Sequence, residues 1–384
     1  MTGSLQIKSG TYYAVLNFKD KAGNRKQKWI STELETRGNK RKAEQMLNDL
    51  KTQYDESDYI APNKILFCDF LKSNIEMRKN TIRETTYSGY MYMLNKHLYP
   101  YFKENGILLQ KLTPYHIQKY YADKSKEGLS SNSLIKHHAN IRFALQSAVK
   151  QGIIKENVAD YADKPKKVQY IGSFYGVDEI NQLLEVSKTE TLFLPILLAS
   201  YFGLRRSEVL GLQWNNIDFA ERKIVICQSL IRSSYDNKCN LILSDHLKTA
   251  SSYRELPISD TVLAMLTKAK QSQEENKKVF GNCYCNEYDG CVCVYPDGTI
   301  ITPDYLSEAF SKLLKKHHLR HIRFHDLRHS CASLLLKLGY SMKDIQLYLG
   351  HSNFSTTADL YAHVDPRNKR TMIDGISNVL LGQC

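Results

Sequence analysis

The sequence predicts a multidomain protein: a small N-terminal three-stranded β-sheet plus helix, an all-α helical block, and a mixed α+β domain filling the second half. Three observations predict it. Residues 4–32 are rich in aromatic and β-branched residues and are broken by turn chemistry. Residues 62–155 repeat apolar residues at helical spacing between capping signals. From residue 176 onward, strand-like and helix-like runs alternate. A chain of 384 residues has room for two or three such cores.

In the first part, TYYAVLNF and RKQKWIS read as strands around the turn DKAGN, followed by a helix near 40–52. Lys19, Arg25 and Lys28 lie close in sequence to Tyr12, Tyr13 and Trp29, as expected of a sheet that enters a DNA groove. Residues 1–58 are assigned to this domain. The helical block, 62–160, reads as four helices. Pro62 opens the first and residues 82–99 form the second. Thr113 caps the third with Pro114 in its first turn, and Ser131 or Asn132 caps the fourth. Its tyrosines recur at helical spacing and read as core, whereas its lysines, Lys136 among them, suit phosphate contacts that position rather than specify. Residues 161–173 are polar, charged and Pro-containing, a linker signature. In 174–384, helices are expected at 177–187, 191–202, after a Ser207 cap, at 260–274, 303–316, 325–338 and 342–349, and in the tail. Strands are expected at 223–231, 241–245 and 254–259.

Charge narrows the function. The net charge is +13, and it is uneven. Residues 61–170 hold 18 Lys/Arg against 9 Asp/Glu, while residues 171–384 hold 24 against 23. A basic leading half on a nearly neutral body points to a polyanion, most simply nucleic acid. No run reaches the roughly eighteen apolar residues of a membrane span, and MTGSLQIKSG has no signal-peptide core, so a cytoplasmic protein with reduced thiols is expected. Four of the nine cysteines form C-x-C-x5-C-x-C at Cys283, Cys285, Cys291 and Cys293. The intervening EYDG reads as a hairpin turn, with a structural metal as the alternative.

Four segments carry candidate chemistry. In GLRRSEVLGLQW (203–214), an arginine at a helix start can hold a phosphate, and a carboxylate three residues on can fix its rotamer. In DHLKTASSYRELPI (245–258), Lys248 follows a strand and precedes its return. In HDLRH (325–329), His325 and Arg328 share a helical face. The same five residues nearly match the H-E-x-x-H zinc motif through His325 and His329, which would make a zinc hydrolase. That reading lacks the glutamate base and leaves the other three segments without a role. In YLGHSNFSTTADLYAHV (348–364), His351 follows Gly350, and Tyr361 is available as a covalent nucleophile. Together these groups make a phosphoryl-transfer site in which guanidinium groups neutralise the phosphate.

The order G-L-R-x-x-E, hairpin Lys, H-x-L-R-H, L-G-H and a downstream Tyr resembles the tyrosine recombinase (phage integrase) family. The layout resembles integrases of phages and conjugative transposons in particular. The resemblance implies a catalytic set of Arg205, Lys248, His325, Arg328, His351 and Tyr361, supported by Glu208. Lys248 would be the general acid and Tyr361 the nucleophile. It implies a mixed α+β catalytic domain behind a core-binding domain and an arm-type DNA-binding domain. It also implies DNA integration through a Holliday junction by a homotetramer on double-stranded attachment sites, with no cofactor, metal or ATP. Accessory DNA-bending or directionality factors are further expected partners, and a membrane is not. The tail, 368–384, would dock on a neighbouring protomer, with docking on its own domain as the alternative. In this setting Asp326 caps or orients and His329 is a buried structural residue. A DNA-binding regulator that had lost the chemistry would show a damaged set. A type IB topoisomerase would lack the arm domain.

Overall fold

The computed structural model describes residues 2–19, 25–53, 63–168, 173–235, 238–245 and 253–350. The chain divides into two compact units, Met1–Gln169 and Tyr170–Cys384.

The first unit begins with an antiparallel sheet in the order β1 (Thr2–Lys8), β2 (Thr11–Lys19), β3 (Arg25–Glu35). Ser9 and Gly10 both take positive φ, the two-residue hairpin geometry whose twist matches the flanking strands. Period-two alternation then sorts the side chains. Leu5, Ala14, Leu16 and Ile30 pack under α1 (Lys40–Gln53), against Leu47 and Leu50. The opposite face carries Arg25, Gln27, Trp29 and Tyr13. Gln27 Nε2 donates to Asn17 Oδ1 at 2.9 Å, the rings of Tyr13 and Trp29 lie 6.3 Å apart, and Trp29 is 51% exposed. Lys28 pairs with Leu16, so it belongs to the α1 face rather than to the face of Arg25.

The helical block contains α2 (Phe67–Met77), α3 (Glu84–Met93), α4 (Tyr99–Glu104), α5 (Pro114–Lys126) and α6 (Ser131–Lys150). The first helix starts later than expected because Leu66 is extended. Phe67 N–H donates to Ile107 O and Leu109 N–H to Ile65 O, forming a short bridge. The expected second helix does not end at 99. A π-helical turn, Leu94–Leu98, joins α3 to α4 just before Pro100. Proline has no N–H and its ring collides with the carbonyl four residues back, and a widened turn relieves both problems. The cap of α6 is Ser130, whose Oγ accepts from Ser133 N–H. The reading of the tyrosines as core holds for Tyr87, Tyr120 and Tyr121, the last two hydrogen-bonded at 2.7 Å to His137 and His138 of α6, but Tyr92 and Tyr115 are exposed. Within the stretch read as linker, Val168 is bound by both arms of the Asn132 amide.

The second unit opens with α7 (Val177–Ser187), α8 (Phe193–Phe202) and α9 (Arg206–Gly211). One sheet has the order β4 (Ile217–Asp218), β5 (Lys223–Ile226), β8 (Arg254–Pro257). A separate hairpin pairs β6 (Ser229–Tyr235) with β7 (Lys238–Ser244). The single strand expected over 223–231 is therefore two, broken at Cys227 and Gln228. Helices α10 (Asp260–Phe280), α11 (Pro303–Lys316), α12 (Asp326–Lys337) and α13 (Met342–Leu349) complete the unit. Helix α10 runs six residues past its expected end. A core built from α8, α9, β5, β8 and α11 includes Leu198, Leu210, Ile224, Leu256 and Phe310.

The four clustered cysteines do not share a hairpin. Cys291 and Cys293 are buried in that core, Cys285 is half-buried, and Cys283 is exposed on a 3-10 turn. Burial pushes the Cys291 thiol up to about 11 and the Cys293 thiol higher still, so both are protonated at neutral pH. Among the described residues, no three His, Cys, Asp or Glu side chains converge on a common point suited to a metal ion. No described helix is long and apolar enough to cross a membrane. The expected tail helix lies outside the described residues.

Candidate active site

Two helix ends and one carboxylate organise the site. Helix α8 stops at Gly203 and helix α13 at Gly350, both left-handed (φ +59° and +68°). A glycine is required at 203. Besides the conformation, a Cβ there would sit 2.3 Å from Leu349 Cδ2. Each helix end leaves backbone carbonyls without intrahelical partners, at the negative end of the helix dipole. The two arginines singled out by sequence take these carbonyls. Arg328, on α12 and 1% exposed, donates from Nη1 to Gly203 O at 2.7 Å and from Nη2 to Leu349 O at 2.6 Å. Arg205 donates from Nη2 to Gly350 O at 2.8 Å.

Glu208 is the hub. It is 2% exposed and lies in the first turn of α9. Its Oε1 accepts from Arg205 Nη1 at 2.5 Å, and its Oε2 accepts from Arg205 N–H at 3.0 Å. The carboxylate thus caps α9 through the backbone of Arg205, the N-cap, while gripping the side chain of the same residue. The expected Ser207 cap is corrected accordingly. A third arginine joins: Arg254 of β8 donates from Nη2 to Glu208 Oε2 at 3.0 Å, and Arg328 Nη1 stands 4.0 Å from the same oxygen. Burial would raise the Glu208 pKa, but Arg254 and Arg205 outweigh it and hold the group below the usual carboxylate range. Burial and the nearby Arg205 cation lower the Arg328 pKa to about 9, still protonated at neutral pH. Three guanidinium groups against one carboxylate leave an excess of positive charge suited to an anion.

Arg205 opens onto a cleft of about 530 Å³ lined by Arg206, Arg323, His321, His325, Ser207, Ser307 and Ser311, with no acidic side chain on its wall among the described residues. Arg206 is committed elsewhere, donating to Pro303 O at 3.0 Å and to Ser307 Oγ at 2.6 Å. His325 precedes α12 and is open to the cleft. The protein packed around its ring still lowers its pKa to about 4, with repulsion from His329 and Arg328 adding to the effect, so it is neutral at physiological pH. His325 and His329 meet edge to face, 5.4 Å between centroids. His329 is half-buried rather than buried. Asp326 is close enough to act on both rings, its charge working to raise their pKa values against burial. Its carboxylate accepts from Arg323 N–H (2.8 Å), Nε (3.1 Å) and Nη2 (2.8 Å), which leaves it no freedom to act as the base of a zinc hydrolase.

Four residues named from sequence, Arg205, Glu208, Arg328 and His325, are therefore placed in one neighbourhood or on its wall, and the neighbouring Arg206 is turned aside. Lys248, His351 and Tyr361 lie outside the described residues. Of the DNA-contact candidates, Lys136 is exposed on α6 and Arg25 is exposed on the open face of the N-terminal sheet. Sequence reading missed Arg254. A signal existed: in RELP, burial alternates with Arg254 in phase with Leu256, a charge at a core-facing strand position.

Residues 174–368 match the Phage integrase family, and residues 66–125 match the Phage integrase N-terminal SAM-like domain. The chain is 27% identical over 320 residues to the tyrosine recombinase XerC-like protein of Caldanaerobacter subterraneus subsp. tengcongensis, covering 80% of each chain. It is 27% identical over 300 residues to the ICEBs1 integrase of Bacillus subtilis, covering 77% of this chain and 78% of that one. In fold it is similar to the Tn1549 transposon integrase in complex with a circular intermediate DNA, with a TM-score of 0.68 at 18% identity over 81% of this chain and 99% of that chain. It is also similar to a lambda integrase tetramer bound to a Holliday junction, with a TM-score of 0.53 at 17% identity over 91% and 95%. The family match spans just over half of the 384 residues, so the chain belongs to the Phage integrase family and is a tyrosine-type site-specific DNA recombinase.

Proposed function

We propose that the chain integrates and excises a mobile element by cutting and rejoining attachment-site DNA through Tyr361. The Tyr361 hydroxyl oxygen attacks the scissile phosphorus and the bond to the 5′-oxygen breaks. A 3′-phosphotyrosine ester remains, and Lys248 gives the leaving oxygen its proton. Arg205 and Arg328 hold the non-bridging oxygens, with Glu208 fixing Arg205. His325 and His351 donate hydrogen bonds or take the phenol proton. The 5′-hydroxyl of the partner strand then attacks the phosphotyrosine and releases Tyr361. One ester replaces another, so the exchange needs no ATP. Two rounds, one on each side of a Holliday junction, require a homotetramer on double-stranded DNA. Accessory DNA-bending and directionality factors would act on that assembly.

The observation that carries this reading is the pair Arg205 and Arg328, anchored on the end of α13 immediately before His351 in the chain. The open face of the N-terminal sheet, which carries Arg25 and Trp29, supports an arm-type DNA contact, and exposed Lys136 supports a core-site phosphate contact. Lys28, on the other face, supports it less. The domain boundaries that accompany this reading are 1–58 for the arm domain, 62–160 for the core-binding domain and 174–384 for the catalytic domain.

A nicked suicide substrate tests the chemistry. Wild-type protein should become covalently attached to the DNA in EDTA, and Tyr361→Phe should abolish attachment. Persistent attachment by that variant, or dependence on added metal, would remove Tyr361 and the guanidinium mechanism.

A further inference from the structure

We infer that Arg254 is a positioning residue for strand cleavage: through Glu208 it sets the orientation of the Arg205 guanidinium without itself reaching the DNA. The inference rests on the role proposed above for Arg205.

The geometry separates the two arginines. The Arg205 side chain is 26% exposed and opens onto the cleft, while the Arg254 side chain is 6% exposed. Arg254 sits on β8, whose backbone is fixed by pairing with β5 at Ile226. From that fixed strand its Nη2 donates to Glu208 Oε2. The other oxygen, Oε1, accepts from Arg205 Nη1. A carboxylate is a rigid planar fork, so fixing one oxygen fixes the direction of the other. The chain of contacts therefore runs from β8 through Arg254 and Glu208 to Arg205. The Arg254–Glu208 link is buried, where a hydrogen bond to a charge is strong and a lost partner is costly, and the Glu208–Arg205 link is partly so.

Among the described residues, the charged groups facing Glu208 are Arg205 at the start of α9, Arg254 from β8 and Arg328 from α12. Arg206 is turned toward Pro303 and Ser307. Cys331, next to Arg328, is kept a neutral thiol by burial. Glu208 is ionised because Arg254 and Arg205 together outweigh its burial. Removing the Arg254 charge leaves burial opposed chiefly by Arg205, so the carboxyl takes up a proton at higher pH than in the wild type. Arg205 then loses its partner, and cleavage falls as pH falls. This signature belongs to positioning. A residue that only supports the fold would lower the rate equally at every pH.

The experiment is single-turnover covalent trapping on a suicide attachment site between pH 6 and pH 9, with thermal melting as the folding control. The wild type should be flat through the lower half of this range. Arg254→Met should lose roughly tenfold more activity at pH 6 than at pH 8, a size typical of coupled neighbours. Arg254→Lys, which keeps the cation, should restore most of the flat profile. The Arg254→Met, Glu208→Gln double variant should show no acid limb. Arg254→Gln stands in for Arg254→Met if the latter does not fold, with the same limb expected. A pH-independent loss that persists with Glu208→Gln, or wild-type behaviour of Arg254→Met, overturns the proposal while wild-type trapping leaves the cleavage chemistry standing. Absence of trapping by the wild type itself overturns that chemistry, and the role of Arg254 with it.

Discussion

The two units handle ionisable groups in opposite ways. The first carries nearly all of the excess positive charge, yet keeps its interior neutral: Tyr120 with His137 and Tyr121 with His138 are uncharged pairs tying α5 to α6. The second is nearly neutral as a whole but buries ionised groups, Arg328, Arg254 and Glu208, around one point. The difference follows from range. Surface cations attract DNA over distance, through a field that salt screens within about 10 Å. A buried guanidinium acts only at contact. It repays its desolvation when every partner is fixed, and its field is little screened. On the proposed function, affinity and chemistry draw on separate charges that can be changed independently.

The largest expected effect comes from breaking the buried cluster. Arg328→Ala should lower single-turnover cleavage by at least about 10²- to 10³-fold, as for loss of a donor to a transition-state oxygen. It should also cost about 3 kcal/mol of stability, because Gly203 O and Leu349 O lose their donor inside the protein. Denaturant midpoints measure the second effect. The salt dependence of DNA binding should not change, and a changed slope would mean that Arg328 acts through the long-range field after all.

A smaller effect tests the neutral interior. Burial first, then the nearby His97 and Lys124, lowers the His137 pKa to about 4. Above pH 6.5 the ring is neutral in both folded and unfolded chains, and nothing is lost. As pH falls from about 6.5 to about 4, the unfolded chain binds a proton that the folded one refuses, so stability declines across that window. His137→Gln should remove about 1 to 3 kcal/mol of this decline, read from melting temperatures of the two proteins between pH 7 and pH 4. Equal slopes would place His137 outside the acid response.

The smallest effect concerns the exterior. Lys136→Ala should weaken binding to any DNA by a few-fold and flatten the slope of log K against log salt by about 1, with the cleavage rate at saturation unchanged. A change confined to one DNA sequence would instead make Lys136 a reader of bases.

Most elements were legible in the sequence because their signals are local. Thr113 with Pro114, the Gly203 and Gly350 helix stops and the apolar spacing of α6 each depend on neighbours within a turn. The misses are of two kinds. Ser207 resembles a cap more than Arg205 does, because propensity counts the cap residue's own oxygen, whereas here the carboxylate of Glu208 reaches back to do the capping. Arg254 was passed over because whether an arginine on a strand faces water or a carboxylate depends on a contact 46 residues away. The split of residues 223–235 between two sheets is likewise a matter of partners: β5 pairs with β8 and β6 with β7. For the candidate site, residue types and order were readable, but what holds them was not, since three of the anchoring acceptors are main-chain oxygens of Gly203, Leu349 and Gly350.

Those main-chain oxygens make the site tolerant of one kind of change and intolerant of another. Every residue has a carbonyl, so replacing the Leu349 side chain by another that still packs leaves both guanidinium anchors in place. Helical phase is different. Deleting or inserting one residue within α13 turns its end by about 100°. The carbonyls of residues 349 and 350 would then point away from Arg328 and Arg205 together. The length of this short helix, more than its composition, is what the two guanidinium anchors depend on.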